Sequence, residues 1–72
     1  PYNGVYVIAR QYAGKTVMTI LNGKRSANEL CVARYAEVIK DNKVAKDVIT
    51  GQTVDISRNV PLTQRGSLVI EF

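Results

Sequence analysis

Apolar and polar positions alternate imperfectly at the start of this chain. From Gly4 to Tyr12, Val5, Val7 and Ala9 fall on one face, and Tyr6, Ile8, Arg10 and Tyr12 fall on the other. A period of two predicts a strand, here one with both faces partly apolar. Ala13-Gly14-Lys15 predicts a turn, since glycine tolerates positive φ. Thr16 to Leu21 then returns as a second strand, with Val17, Thr19 and Leu21 opposing Met18 and Ile20. The two strands make a hairpin. Asn22-Gly23 signals the next turn, polar Lys24-Arg25-Ser26 extends it into a loop, and Asn28 to Val32 reads as a short third strand.

The period changes between Ala33 and Lys40. Val32, Tyr35, Ala36 and Ile39 recur at helical spacing, which predicts about two turns of amphipathic helix ending at Asp41-Asn42. So short a helix depends on its apolar stripe for stability. Val44 to Ile49 and Gln52 to Ile56 predict a second hairpin with a tight turn at Thr50-Gly51. Val60-Pro61-Leu62-Thr63 follows as an edge or irregular strand, because Pro61 lacks a backbone donor. After a turn at Gln64-Arg65-Gly66, Ser67 to Phe72 closes the chain, with Leu68, Ile70 and Phe72 on its core side. The total is about seven short strands and one short helix. That pattern predicts an all-β, antiparallel sandwich or small barrel, with little room for βαβ units.

A chain of 72 residues forms one domain at most. At this size roughly 60% of the unfolded surface is buried, and stability commonly draws on a disulfide, a metal or a partner. The single cysteine, Cys31, cannot close an internal disulfide, and with no histidine a Cys/His zinc site is excluded. Additional stability is therefore expected from packing against something else. No apolar run approaches the roughly 20 residues of a membrane helix. Pro1 in place of an initiator methionine suggests a processed product or an excised fragment.

The net charge is +4, which raises the question of nucleic acid. However, the ten basic residues are scattered, only Lys24 and Arg25 are adjacent, and most fall in or beside turns. They read more simply as solvated loop charges. Tyr6, Arg10 and Tyr12 share a strand face and could form a stacking platform for bases or a floor for a sugar ring. The plainer alternative is that Tyr6 packs and Tyr12 caps the sheet. The six carboxylates, Glu29, Glu37, Asp41, Asp47, Asp55 and Glu71, sit mostly at turns and strand ends. Nothing in their spacing forces a catalytic pair. Cys31 has no histidine to activate it and reads as a small, at least half-buried side chain. The five glycines are dispersed one per turn, so no phosphate-binding loop is formed. No catalytic, cofactor-binding or metal-binding residue is expected.

Several segments carry a family resemblance. Ala33-Arg34-Tyr35-Ala36-Glu37-Val38-Ile39-Lys40, followed by Lys46-Asp47-Val48-Ile49-Thr50-Gly51-Gln52-Thr53-Val54, resembles the C-terminal domain of α-amylase-family glycosidases (glycoside hydrolase family 13), in particular the cyclomaltodextrinase, neopullulanase and maltogenic amylase branch. Asn3-Gly4-Val5-Tyr6-Val7 and Lys15-Thr16-Val17-Met18-Thr19-Ile20-Leu21-Asn22 resemble that domain's first hairpin, whose second strand ends in an asparagine-led loop. Gly66-Ser67-Leu68-Val69-Ile70-Glu71-Phe72 resembles its last strand. One departure stands out: the family often places a serine before the arginine that opens the helix. Ala33 stands there instead, so that cap is lost or supplied elsewhere.

The resemblance implies a Greek-key β-sandwich, residues 1–72, forming an accessory C-terminal domain of a larger glycosidase. It would pack against a catalytic (β/α)8 barrel and stabilise it. The parent would hydrolyse α-glucosidic bonds in maltodextrins, cyclodextrins, starch or pullulan, with all its catalytic carboxylates in the barrel. The implied partners are that barrel and the α-glucan it binds, with no nucleic acid and no membrane segment. The parent's compartment is open between bacterial cytoplasm and periplasm. Part of this surface should be built for docking and be unusually apolar for a monomer. The rival readings are a small basic β-module for nucleic acid and a stand-alone carbohydrate-binding module.

Overall fold

A computed structural model describes residues 3–64 and 66–72. Pro1 and Arg65, the latter expected in the turn before the last strand, lie outside the described residues. The chain folds as an antiparallel sandwich of two unequal sheets. Its strands are β1 (Val5–Tyr12), β2 (Lys15–Asn22), β3 (Asn28–Leu30), β4 (Val44–Asp47), β5 (Thr53–Asp55), β6 (Val60–Leu62) and β7 (Ser67–Glu71). The large sheet has the order β1-β2-β7-β4-β5, and β3 pairs with β6 in the small one.

The first hairpin forms as its sequence predicts. Every residue of β1 is matched on β2, from Val5 opposite Asn22 to Tyr12 opposite Lys15. Ala13 and Gly14 connect them, with φ of 50° and 78°. Two successive positive φ values make the mirror-image turn whose twist matches that of the strands. Glycine adopts this geometry freely, and Ala13 adopts it against the preference of its Cβ.

β7 lies between β2 and β4, pairing Ile70 with Met18 on one side and with Asp47 on the other. The last strand in sequence is therefore central in space. Its alternation follows from that position: Ile70 is fully buried, and Leu68 and Phe72 pack partly against the core.

Between the sheets lie Val5, Met18, Ile20, Ala45 and Ile70 from the large sheet and Leu30, Val60 and Leu62 from the small one, closed by Ile39 and Ile56. Pro61 sits opposite Glu29 on the two-stranded sheet, where both strands are edges and its missing N–H breaks no ladder.

The helical segment is split. A 3-10 turn, Val32–Tyr35, leads into one α turn, α1 (Ala36–Ile39). Val32, expected at the end of the third strand, belongs to the 3-10 turn. Ile39 is buried, and Val32, Tyr35 and Val38 pack partly against the core, while Ala36 is exposed. The tighter 3-10 winding rotates the stripe away from the α-helical expectation. The cap missing at Ala33 is supplied from elsewhere: Asn59 Oδ1 accepts the Val32 N–H at 3.1 Å. Asn42 closes the other end, donating from its side chain to the Ile39 carbonyl at 2.9 Å.

The second hairpin differs from its expected form. The ladder runs to Lys46 opposite Thr53, one further bond joins Asp47 N–H to the Gln52 carbonyl at 2.8 Å, and residues 48–51 form a wider loop instead of a tight Thr50-Gly51 turn. Asp47 organises this loop. Its Oδ1 accepts the N–H groups of Ile49 (2.8 Å) and Thr50 (3.1 Å), and its carbonyl accepts Gly51 N–H at 2.8 Å. An aspartate that satisfies the following amides favours a turn over continued strand. Val48 and Ile49, despite their β-branched character, therefore leave the strand, and Ile49 is 79% exposed.

The chain turns after Asn22 as expected, and the Asn22 side chain is fully buried. Nδ2 donates to the carbonyls of Thr63 (2.8 Å) and Ser26 (3.1 Å), and Oδ1 accepts from Lys24 N–H (3.1 Å) and Asn28 Nδ2 (3.4 Å). One amide thus ties β2 to the loops before β3 and before β7. A buried amide is stable only when so fully satisfied. A Cβ at Gly23, in the loop beyond it, would crowd the Tyr6 ring at 3.1 Å and the Gly4 carbonyl at 3.2 Å.

Candidate functional site

The large sheet has an inner face that packs on the small sheet and an outer face that does not. Antiparallel register sets which outward side chains are neighbours. Tyr6 lies opposite Leu21, and Leu21 opposite Ser67. Ile8 lies opposite Thr19, which lies opposite Val69. Val48 extends that row, its N–H donating to the Val69 carbonyl at 2.9 Å. The next row is polar at its ends: Arg10 opposite Val17, Val17 opposite Glu71, and Glu71 opposite Lys46. Lys15 Nζ approaches Glu71 at 3.5 Å. The outer face is thus divided into an apolar half around Tyr6, Ile8, Leu21 and Val48 and a charged half around Arg10, Lys15, Lys46 and Glu71.

Exposure in the apolar half is high. Ile8 is 61% exposed, Tyr6 51%, Val48 49% and Leu21 45%. Single exposed apolar residues are ordinary, but a contiguous group marks an interaction surface.

The carboxylates do not converge. Glu29 lies on β3 and accepts from Asn59 Nδ2 at 3.3 Å, Glu37 lies on α1, and Glu71 faces Lys15. Asp47 and Asp55 are committed to turns. The Thr50 N–H, with that of Ile49, holds Asp47 below the usual carboxylate range against a smaller opposing effect of desolvation. Asp55 is lowered first by the Ser57 hydroxyl, then by the Ser57 N–H and by Arg58, whose Nε lies 3.1 Å away. Both shifts favour the anion and oppose a role as proton donor near neutral pH. Among the described residues, no three His, Cys, Asp or Glu side chains stand close enough to share a metal ion. Cys31 is half-buried.

The aromatic and basic candidates are placed as a line, not a cluster. Tyr6, Arg10 and Tyr12 all face outward on β1, but Tyr6 and Tyr12 are about 20 Å apart along the strand. Ile8 lies between Tyr6 and Arg10. Among the described basic residues, Lys24 donates to Asn3 Oδ1 at 2.6 Å and Arg58 pairs with Asp55. A shallow depression of about 570 Å³ runs between β5 and β6, lined by Val54, Asp55, Arg58, Pro61 and Leu68. Its charged groups are already paired with each other. No helix is long and apolar enough to cross a membrane, among the described residues.

The described residues thus form a two-sheet β-sandwich with an uncovered, partly apolar sheet face. The chain matches the family model described as the cyclo-malto-dextrinase C-terminal domain over residues 1–71, and it belongs to that family.

Proposed function

We propose that this chain is the non-catalytic C-terminal domain of an α-amylase-family glycosidase. The apolar half of its outer sheet face seats against the enzyme's (β/α)8 barrel. The parent hydrolyses α-glucosidic bonds in maltodextrins, cyclodextrins or starch, and the catalytic carboxylates lie in the barrel. The observation that carries this reading is the exposure of Tyr6, Ile8, Leu21 and Val48 together on one face. Covering them adds burial at roughly 25 cal/mol per Å2, additional to what a core this small provides alone.

The test compares one variant in two contexts. Ile8→Lys with Leu21→Lys should leave the melting temperature of the 72-residue chain nearly unchanged. In the barrel-bearing enzyme the same pair should lower it and expose the junction to limited proteolysis. Equal, small effects in both contexts would overturn the docking assignment. The isolated chain should show no turnover of maltooligosaccharides. Titration with maltoheptaose and with an oligonucleotide should give flat traces; a saturating sugar isotherm would favour a carbohydrate-binding module, and salt-sensitive oligonucleotide binding a nucleic-acid module.

A further inference from the structure

The large sheet has two edges, built very differently. β5, at one end, is a three-residue strand whose last residue, Asp55, is engaged by Ser57 and Arg58. Shortness and local charge are common devices for blunting an edge. β1, at the other end, is eight residues long and unbroken in register, with neither proline nor bulge and a single charge at Arg10.

Which backbone groups of β1 face outward follows from its hairpin. The two-residue turn makes Tyr12 and Lys15 a hydrogen-bonded pair. Gly23 N–H donates to the Gly4 carbonyl at 2.8 Å, the same parity at the other end. Even-numbered residues therefore bond to β2, and odd-numbered residues direct N–H and C=O to the free edge. Val5 is only 3% exposed, so the edge is closed there. Ala9 and Gln11 are exposed and Val7 half-exposed, although their side chains point to the core side. The usable edge runs from Val7 to Gln11.

We infer that this edge pairs with the β1 edge of a second copy, antiparallel, about a two-fold axis through Ala9. Antiparallel pairing is self-complementary: one strand is its own partner under a two-fold axis. Face parity requires that inward residues meet inward residues. With Ala9 on the axis, Val7 meets Gln11 of the second copy on both sides, and three hydrogen-bonded pairs give about six backbone bonds. The alternative register, with Ile8 on the axis, needs the closed Val5 for its outer pairs and keeps only about four.

The outward side chains support the same register. Ile8 meets Arg10 of the second copy, whose aliphatic stem can lie along it. Tyr6 meets Tyr12 in the closer, non-hydrogen-bonded type of pair, where aromatic partners contribute most. The two Arg10 residues lie about 8 Å apart, a separation at which solvent and salt weaken repulsion. The two apolar outer faces become continuous, and Ala9 gains cover. A contact of this extent falls at the low end of specific interfaces, so the dimer is concentration-dependent.

Sedimentation velocity on the 72-residue chain tests the inference. The weight-average mass should rise toward twice the monomer between about 10 μM and 1 mM, a range suited to interfaces this small. Ala9→Pro removes an N–H that faces only the free edge, so it should abolish the rise while retaining the β1–β2 cross-strand amide contacts. Ala9→Cys, in a Cys31→Ser background, should form a disulfide-linked dimer under mild oxidation at least tenfold faster than Ile8→Cys. A chain that stays monomeric at 1 mM, association unaffected in folded Ala9→Pro, or equal cross-linking at both positions would each overturn it. The cross-link comparison stands even where the proline variant unfolds.

Discussion

The two faces of the large sheet are made from the same strands and from similar residues, yet they have different fates. On the inner face, Val5, Met18, Ile20 and Ile70 are at most 3% exposed. On the outer face of the same strands, Tyr6, Ile8 and Leu21 remain in water, with Val69 half-covered. Their amino-acid types alone do not separate them. What separates them is supply: β3, β6 and the short helical segment cover one face, and none of the described elements covers the other. A face that is apolar and uncovered teaches more about function here than any polar residue does.

The largest effect that can break this contrast is a cavity on the inner side. Ile20→Ala should cost about 3–4 kcal/mol, enough to unfold much of a domain this small, as read by urea denaturation. Asn22→Ala comes next, at about 1–3 kcal/mol, because it removes a buried amide and leaves the Thr63 and Ser26 carbonyls without its two part-buried bonds. Little change in that variant would show that water replaces the amide. Ala13→Asn should stabilise by about 0.5–1 kcal/mol, since asparagine tolerates the φ of 50° better than alanine. Thermal melts suffice to read it.

Ile8→Lys on the outer face should change the stability of the isolated chain by no more than about 0.5 kcal/mol. A loss comparable to that of Ile20→Ala would erase the distinction between the faces. The smallest expected effect is on acid stability. Asp47 and Asp55 have folded pKa values below the ordinary 3.8, so they contribute stability that is present above that pH. It is lost as the pH falls through their lowered values. Asp47→Asn should therefore flatten the acid branch of the stability profile below about pH 4 and leave its shape at neutral pH unaltered; an unchanged acid branch would refute the role of the Thr50 and Ile49 amides.

Much of the fold was legible because it rests on local rules. The two-residue period of side-chain facing in Val5–Tyr12 and Lys15–Asn22 is a backbone property, and a two-residue turn sets the hairpin register. Pro61 could sit only where no donor is needed. The wide loop at residues 48–51 was less legible, since β-branched Val48 and Ile49 outweigh, in a pattern reading, the one aspartate that turns the chain. A clue to Asn22 was nevertheless present: it follows Met18 and Ile20 at the same parity, so an amide at that position points inward. The replacement cap was not legible at all. Asn59 lies 27 residues from Val32, and no local pattern connects them.

The sequence by itself determined that this is a small antiparallel β protein, because alternation and turns act over a few neighbours. Only the tertiary structure decided which apolar face is the core, which edge is open and where the polar groups find their partners. Those outcomes depend on which strands meet, and β7, last in sequence, is inserted between β2 and β4 by contacts that no local segment contains.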